Sequence, residues 1–182
     1  MSKFVLVNFW WGHDKQVPHM KKGTTYKTLA DKLLNRCKQF KIKCDIVHKK
    51  EFENTNYQEN LGYKPTFIKK MLFKHKKPVL YMDVDMQIEK YPKLFDVLHT
   101  LVDFSAFNWN ADPRVCNVFD PQILETASGM LYFGATQKAI NLCRLWEQKM
   151  KLMEFRRAAD DRVLAMVFHE NQMLSKMRCF WF

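Results

Sequence analysis

The sequence lacks a long apolar run. The apolar stretch near its start, FVLVNFW, is only seven residues long, and no small-residue cleavage site follows it. A membrane-spanning helix needs about 20 apolar residues, and a secretory signal needs a cleavage site. We therefore predict a cytoplasmic protein with no transmembrane segment.

Cysteine is sparse, and its spacing favours neither a disulfide framework nor a zinc site. The five cysteines are an odd number and form no C-x-x-C pair. They are Cys37, Cys44, Cys116, Cys143 and Cys179. Secreted disulfide scaffolds and structural zinc sites need paired, regularly spaced cysteines. We expect reduced and mostly buried thiols.

Internal repeats and low-complexity linkers are also missing. A chain of 182 residues with 47% hydrophobic and 14% aromatic residues is long enough for one folded core and short for two. We predict a single domain over residues 1–182. The final KMRCFWF indicates the start of a strand. A natural chain can end there, and so can a piece cut from a longer protein; both interpretations stay open.

Acidic residues are outnumbered, with 30 Lys and Arg against 19 Asp and Glu and a net charge of +11. This excess favours an anionic partner, such as nucleic acid, an anionic membrane surface or a phosphorylated small molecule. The basic clusters KIK, HKK and KHKK adjoin apolar runs, where solvated faces are the ordinary interpretation.

The first half of the chain alternates between strand and helix patterns. Residues 4–10 and 44–48 are typical of buried strands, and a third strand starts at Val79. Helical periodicity starts after a threonine cap at 24 or 25 and again at Pro65. This βαβαβ order predicts an α/β domain with the first and third strands in one parallel sheet.

The second half predicts a more mixed α+β structure. Helices are expected at 92–99, after a Thr136 cap and from about Asp160, and strands at 103–108 and 129–135.

Asp83 and Asp85 directly follow the apolar run VLYM. In an extended segment, residues two apart project to the same side, so both carboxylates would face the crevice at the carboxyl edge of the sheet. Close carboxylates repel, and a shared proton or a divalent cation relieves the repulsion. The alternative is that both aspartates merely cap a turn.

These residues resemble the metal-binding segment of nucleotide-diphospho-sugar glycosyltransferases of the GT-A fold. The resemblance rests on PVLYMDVDMQIEKYPKLF, on YKPTFIKKML before it, and on ETASGMLYFGATQKAINLCRLWE and AADDRVLAMVF after it. The chain is also similar in size to the small glycosyltransferase domains of large DNA viruses, including one that glycosylates a capsid protein. A viral origin would make the location the host cytoplasm.

The resemblance implies a Rossmann-like, mostly parallel central sheet flanked by helices. It implies transfer of a sugar from a UDP-sugar to a glycan or glycoprotein acceptor, without nucleic acid. Asp85 would bind Mn²⁺ or Mg²⁺, and Asp83 would share the metal or contact the ribose. Lys64 would assist at the diphosphate, unless it is simply solvated.

Further site residues are implied by the same resemblance. Trp10 or Trp11 would stack on uracil beside Asn8, although Trp10 also suits an ordinary core. Ser128 and Gly129 would lie beside the donor sugar, where glycine lets the backbone approach closely.

Asp160 and Asp161 are the candidate catalytic carboxylates. One of them would act as general base on the acceptor or stabilise an oxocarbenium-like sugar. The alternative is that Asp160 caps the helix and Asp161 favours its dipole. GT-A enzymes often supply a further histidine ligand near the end of the domain, and His169 lies within a predicted helix. Its role would be structural or ligating, and the missing ligand could also be water or lie beyond Phe182.

Two other functions also fit parts of the sequence. A phosphatase of the haloacid dehalogenase type also places D-x-D after a buried strand, but Gln87 stands where Thr or Val is expected. A basic nucleic-acid-binding α/β domain would use the excess of Lys and Arg. The aromatic residues, however, lie within apolar runs and do not alternate with basic ones.

Overall fold

The structure is a computed structural model that describes residues 2–18, 20–112, 114, 125–171 and 176–182. The strands in these residues are β1 (Val5–Trp10), β2 (Cys44–His48), β3 (Val79–Met82), β4 (Phe104–Asn108), β5 (Thr126–Phe133) and β6 (Cys179–Trp181). The α-helices are α1 (Tyr26–Gln39), α2 (Tyr57–Leu61), α3 (Lys64–His75), α4 (Leu94–Leu98), α5 (Gln137–Met150) and α6 (Asp160–Glu170).

The helices of the first half begin where local side-chain chemistry favours a start. Thr25 caps α1 in a reciprocal pair with Thr28, each side chain accepting a hydrogen bond from the other's backbone N–H. Pro65 lies in the first turn of α3, where its missing N–H has no consequence. Both predicted helix starts are confirmed.

The strands in the described residues form one sheet in the order β2-β1-β3-β5-β4-β6. β1 pairs in parallel with β2 and β3, as the βαβαβ pattern predicts. β5 runs antiparallel to β3 and β4, and β6 is parallel to β4. Because β5 runs the opposite way, its first residues lie beside the carboxyl ends of β1 and β3.

Helices cover both faces of the sheet. On one face, Val5, Val7 and Phe9 of β1 pack with buried side chains of α3, α5 and α6. On the other face, Leu6 packs with α1 and α4. β1 is therefore buried along its whole length, which explains its continuous apolar run.

Two elements differ from the prediction. Residues 57–61, for which no helix is predicted, form α2, because the side chain of Asn56 accepts hydrogen bonds from the backbone of Gln58 and Glu59. β5 begins at Thr126, three residues before the predicted strand, because its first residues pair with the end of β4 beyond a bulge.

Of the described cysteines, two are buried as predicted and two are only partly buried. Cys37, Cys44, Cys143 and Cys179 are free, and Cys116 lies outside the described residues. None of the helices in the described residues is long and apolar enough to cross a membrane.

Candidate functional site

Asp83 and Asp85 lie in a tight turn at the carboxyl end of β3. The Asp83 N–H donates to the Gly129 carbonyl oxygen at 2.7 Å, and the Met86 N–H donates to the Asp83 carbonyl oxygen at 3.0 Å. Val84 between them is buried against Trp10 and α1. The segment is a turn, so the predicted extended geometry is wrong, yet both carboxylates line the same two cavities.

Lys64 is buried at the centre of the site, with 1% of its side chain exposed. Its Nζ lies 2.7 Å from Asp160 Oδ2 and 3.4 Å from Asp83 Oδ1. It also donates to Ser128, at 3.1 Å to Oγ and 3.2 Å to the carbonyl oxygen. The alternative of a solvated lysine is therefore wrong.

The charged groups of this cluster shift one another's pKa. Burial alone would lower the pKa of Lys64, but Asp160 and Asp83 outweigh burial and raise it. Burial raises the pKa of Asp83, reinforced by the nearby Asp160 and opposed by Lys64 and by the Tyr81 hydroxyl, which donates to Asp83 Oδ1 at 2.8 Å. Lys64 therefore stays a cation, and burial makes the charged form of Asp83 less favourable than that of an exposed aspartate.

Asp160 and Asp161 begin α6 and have different environments. Ala159 is the N-cap without a side-chain hydrogen bond, so helix capping by Asp160 is wrong. Asp160 is 5% exposed and faces Lys64, while the Trp146 indole N–H donates to its backbone carbonyl at 3.1 Å. Asp161 lines a cavity, and burial raises its pKa. Its place in the first turn also suits the helix dipole.

An aromatic cavity opens on one side of the Asp83–Asp85 turn. Its rings are Phe9, Trp10, Trp11, Tyr26, Tyr57 and Tyr81. Trp10 is 8% exposed and stacks on His48 with ring centroids 4.1 Å apart, so it is both cavity wall and core. Tyr26 and Tyr57 are not among the site residues predicted from the sequence. The signal that could have identified them is that each is an aromatic residue directly after a helix N-cap.

Asn8 does not line either of these cavities. It is fully buried, and its Nδ2 donates to the Met82 carbonyl oxygen at 2.7 Å. Its amide therefore ties β1 to the end of β3, and the geometry does not support its predicted contact with a nucleotide.

A second cavity opens on the other side of the turn, and we call it the polar cavity because five charged residues line it. Asp83, Asp85, Ser128, Gly129 and Asp161 line it together with Met86, Phe107, Trp109, Asp112, Arg114, Ala127, Met130 and Phe182. A Cβ on Gly129 would lie 3.4 Å from Asp83 Oδ2, so the missing side chain keeps this carboxylate oxygen uncovered. The predicted close approach at Gly129 fits this arrangement.

Two carboxylates at this turn have oxygens that a divalent cation could bind. Asp83 Oδ1 is engaged by Tyr81 and Lys64, whereas Oδ2 is not, and Asp85 is exposed with no hydrogen bond or ion pair to the described residues. The described residues contain no group of three His, Cys, Asp or Glu suited to a metal, and His169 lines a different cavity. Mg²⁺ is commonly held by one or two carboxylates plus substrate phosphates, which fits this pair.

Comparison with known proteins identifies the fold. The chain is similar to the crystal structure of a glycosyltransferase involved in the glycosylation of the major capsid of PBCV-1, with a TM-score of 0.62 and 10% identity, covering 98% of this chain and 80% of that one. It is also similar to the glycosyltransferase GlyE of Streptococcus pneumoniae TIGR4, with a TM-score of 0.52 and 14% identity, covering 100% of this chain and 45% of that one. No protein-family model and no curated protein matches the sequence. The chain has a glycosyltransferase fold, and the predicted fold class is confirmed.

Proposed function

We propose that the protein transfers a sugar from a UDP-sugar to a glycan or protein acceptor, assisted by Mn²⁺ or Mg²⁺. One observation carries the proposal: Asp83 and Asp85 form the wall between an aromatic cavity and a polar cavity. The glycosyltransferase fold supports this function over the phosphatase alternative. The nucleotide would occupy the first cavity, and the sugars would occupy the second.

The aromatic cavity suits a nucleoside. A planar base stacks on aromatic rings without needing a specific hydrogen-bond pattern. Tyr57 is 53% exposed and Trp11 is half-buried, so both present ring surface to a ligand. We assign the predicted stacking to Trp11, Tyr26 and Tyr57 more than to Trp10, because Trp10 is buried and His48 covers one of its faces.

The charge of the site supports a cation. Asp83 and Asp160 contact the Lys64 ammonium, and Asp85 and Asp161 line the same cavity as Asp83, so a diphosphate would meet several carboxylates there. Asp85 and Oδ2 of Asp83 would hold the metal. When bound, it would act as a Lewis acid that offsets the charge developing on the leaving diphosphate.

The chain's own residues would divide the remaining work. Lys64 holds Asp83 in place through its ion pair and fixes Ser128 beside the donor sugar. Asp160 faces Lys64 instead of a cavity, so it acts as a positioning residue. Asp161 lines the sugar cavity with a raised pKa, and we assign to it the base or the charge-stabilising role.

Titration calorimetry with UDP and with GDP, each with and without Mn²⁺, tests this function. We expect UDP to bind more tightly than GDP and Mn²⁺ to strengthen UDP binding. In the presence of Mn²⁺, Asp85→Asn should weaken UDP binding at least tenfold, which is about 1.4 kcal/mol of binding free energy. Asp31→Asn is the matched control, because Asp31 is an exposed carboxylate on α1 that pairs with Lys27, remote from both cavities.

Equal UDP binding with and without Mn²⁺ would contradict the proposed use of metal. Salt-sensitive binding of DNA or RNA without any response to nucleotides would instead favour the nucleic-acid alternative.

A further inference from the structure

The connection between α5 and α6 presents two apolar side chains to solvent. We call residues 151–159 the α5–α6 tip. Leu152 is 50% exposed and Met153 is 82% exposed, although both are large apolar residues. Adjacent exposed apolar side chains of this size are typical of a binding surface more than of a solvated loop.

The backbone of the tip is held in this arrangement by local hydrogen bonds. The Leu152 N–H donates to the Lys149 carbonyl oxygen at 3.1 Å, and the Phe155 N–H donates to the Leu152 carbonyl oxygen at 3.0 Å. Phe155 is half-buried and packs against the core beside the Lys149 ammonium. Phe155 therefore anchors the turn, while Leu152 and Met153 point away from the core.

Basic side chains flank the two apolar ones. The side chains of Lys151 and Arg156 are 71% and 56% exposed, and Arg157 is exposed beside them. Lys151 pairs with Glu147 at 2.9 Å and Arg156 with Glu59 at 3.3 Å. The Arg156–Glu59 pair is largely exposed and contributes little, so Arg156 can exchange Glu59 for another anion, whereas Lys151 stays paired with the buried Glu147. Glu154 is the acidic residue within the tip.

We propose that the α5–α6 tip docks on an anionic membrane surface. Leu152 and Met153 would enter the boundary between headgroups and acyl chains, and Arg156 and Arg157 would contact lipid phosphates. A small protruding tip suits a lipid surface, whereas a stable protein interface buries about 800 Å² on each partner. The net charge of +11 adds a long-range attraction to such a surface.

The position of the tip gives this docking a functional meaning. The tip ends at Ala159, directly before Asp160, whose carboxylate lies 2.7 Å from the Lys64 ammonium. Docking would hold the carboxylate site close to the lipid surface. This inference does not depend on the proposed donor or metal.

Vesicle flotation of the full chain tests the proposal. We expect binding to phosphatidylcholine vesicles that contain about one-third phosphatidylserine, much weaker binding to pure phosphatidylcholine, and loss of binding at high salt. Leu152→Ser with Met153→Ser should weaken the binding at least tenfold, and Arg156→Glu with Arg157→Glu should do the same. Phe73→Ser is the matched control, because Phe73 is a large apolar residue that is 58% exposed on α3, and it should leave binding unchanged.

Three results would overturn this inference. They are no binding of the unchanged chain to anionic vesicles, equal binding to neutral ones, and equal weakening by Phe73→Ser. Sedimentation of the free protein adds a fourth: a dimer that dissociates with the Leu152 and Met153 changes would make the tip a protein interface. Thermal unfolding of every variant confirms that the fold is retained.

Discussion

Lys64 lies between Asp83 and Asp160, and its ammonium is the cation that both carboxylates contact. Burying one ammonium with two carboxylates is costly unless the charges remain paired. The arrangement fixes the side chains of three elements, the start of α3, the end of β3 and the start of α6. Lys64 therefore acts as a positioning residue for the whole site.

Lys64→Met should destabilise the fold strongly, because it leaves two carboxylates facing each other in a buried setting. Removing one partner of a buried ion pair commonly costs about 3–5 kcal/mol. The loss should shrink as pH falls, because burial raises the pKa of Asp83 and a proton on this carboxyl group removes the repulsion. Urea unfolding at neutral and at acidic pH measures the effect.

Lys27→Met is the control for this substitution. Lys27 pairs with Asp31 at 2.6 Å, but both side chains are about half exposed. Exposed pairs contribute about 0–1 kcal/mol, so this variant should unfold almost like the unchanged protein. Similar losses for the two variants would contradict the central role of Lys64.

At the scale of elements, Glu147 joins α3 to α5. The Thr66 hydroxyl donates to Glu147 Oε1 at 2.7 Å, and Lys69 and Lys151 both pair with this carboxylate. Burial would raise the pKa of Glu147, but these partners outweigh it and lower the pKa to about 2. Two helices on one face of the sheet are thus held together by one carboxylate.

Glu147→Gln should reveal this contribution through its pH dependence. A carboxyl group whose pKa is lowered by folding adds stability above its unfolded pKa of about 4.3, and this stability disappears as pH falls towards the folded value. We expect a loss of roughly 2 kcal/mol at pH 7, with the two proteins converging by about pH 2–3. Chemical denaturation across this range measures it.

Glu170→Gln provides the comparison at pH 7, because Glu170 is half exposed and pairs with Lys149. It should cost less than about 1 kcal/mol. A loss in Glu147→Gln that is independent of pH would mean that packing, and not charge, joins these helices.

One glycine beside the sheet has no room for a side chain. Gly134 follows β5, and a Cβ there would lie 2.6 Å from the Val102 carbonyl oxygen. Gly134→Ala must move the backbone beside β4 and should cost about 1–3 kcal/mol. Gly129→Ala should cost less than about 1 kcal/mol, because its Cβ would have ordinary contacts from 3.4 Å outward. Thermal unfolding distinguishes the two, and equal shifts in melting temperature would contradict the steric argument.

At the scale of the whole molecule, the strands and helix starts that the sequence predicted are those that depend on neighbouring residues in the chain. The buried run of β1, the Thr25 cap of α1 and Pro65 at the start of α3 each follow from residues close in the chain. The site around Asp83 and Asp85 was predicted because strand ends in an α/β order meet at one edge. The site roles of Asp160 and Asp161 stay predictions.

What the sequence could not predict depends on contacts between distant segments. Lys64 resembles the many solvated lysines until α6 brings Asp160 beside it, 96 positions away along the chain. Tyr26 and Tyr57 become cavity walls only when two separate helix starts face the same turn. Asn8 lies near the carboxyl end of β1, but its side-chain amide donates a hydrogen bond to the last residue of β3 and not to a cavity.

The pairing of β6 has a consequence for the order of events during synthesis. β6 pairs with β4, Asp103 is joined to Arg178 by hydrogen bonds in both directions, and Phe182 lines the polar cavity. These contacts join segments about 75 residues apart. While a ribosome is still adding the residues before 178, β4 has an open edge and the cavity lacks one wall. Until β6 docks, the edge of β4 offers unpaired backbone N–H and C=O groups to strands of other chains, so the docking of β6 also protects the protein against self-association.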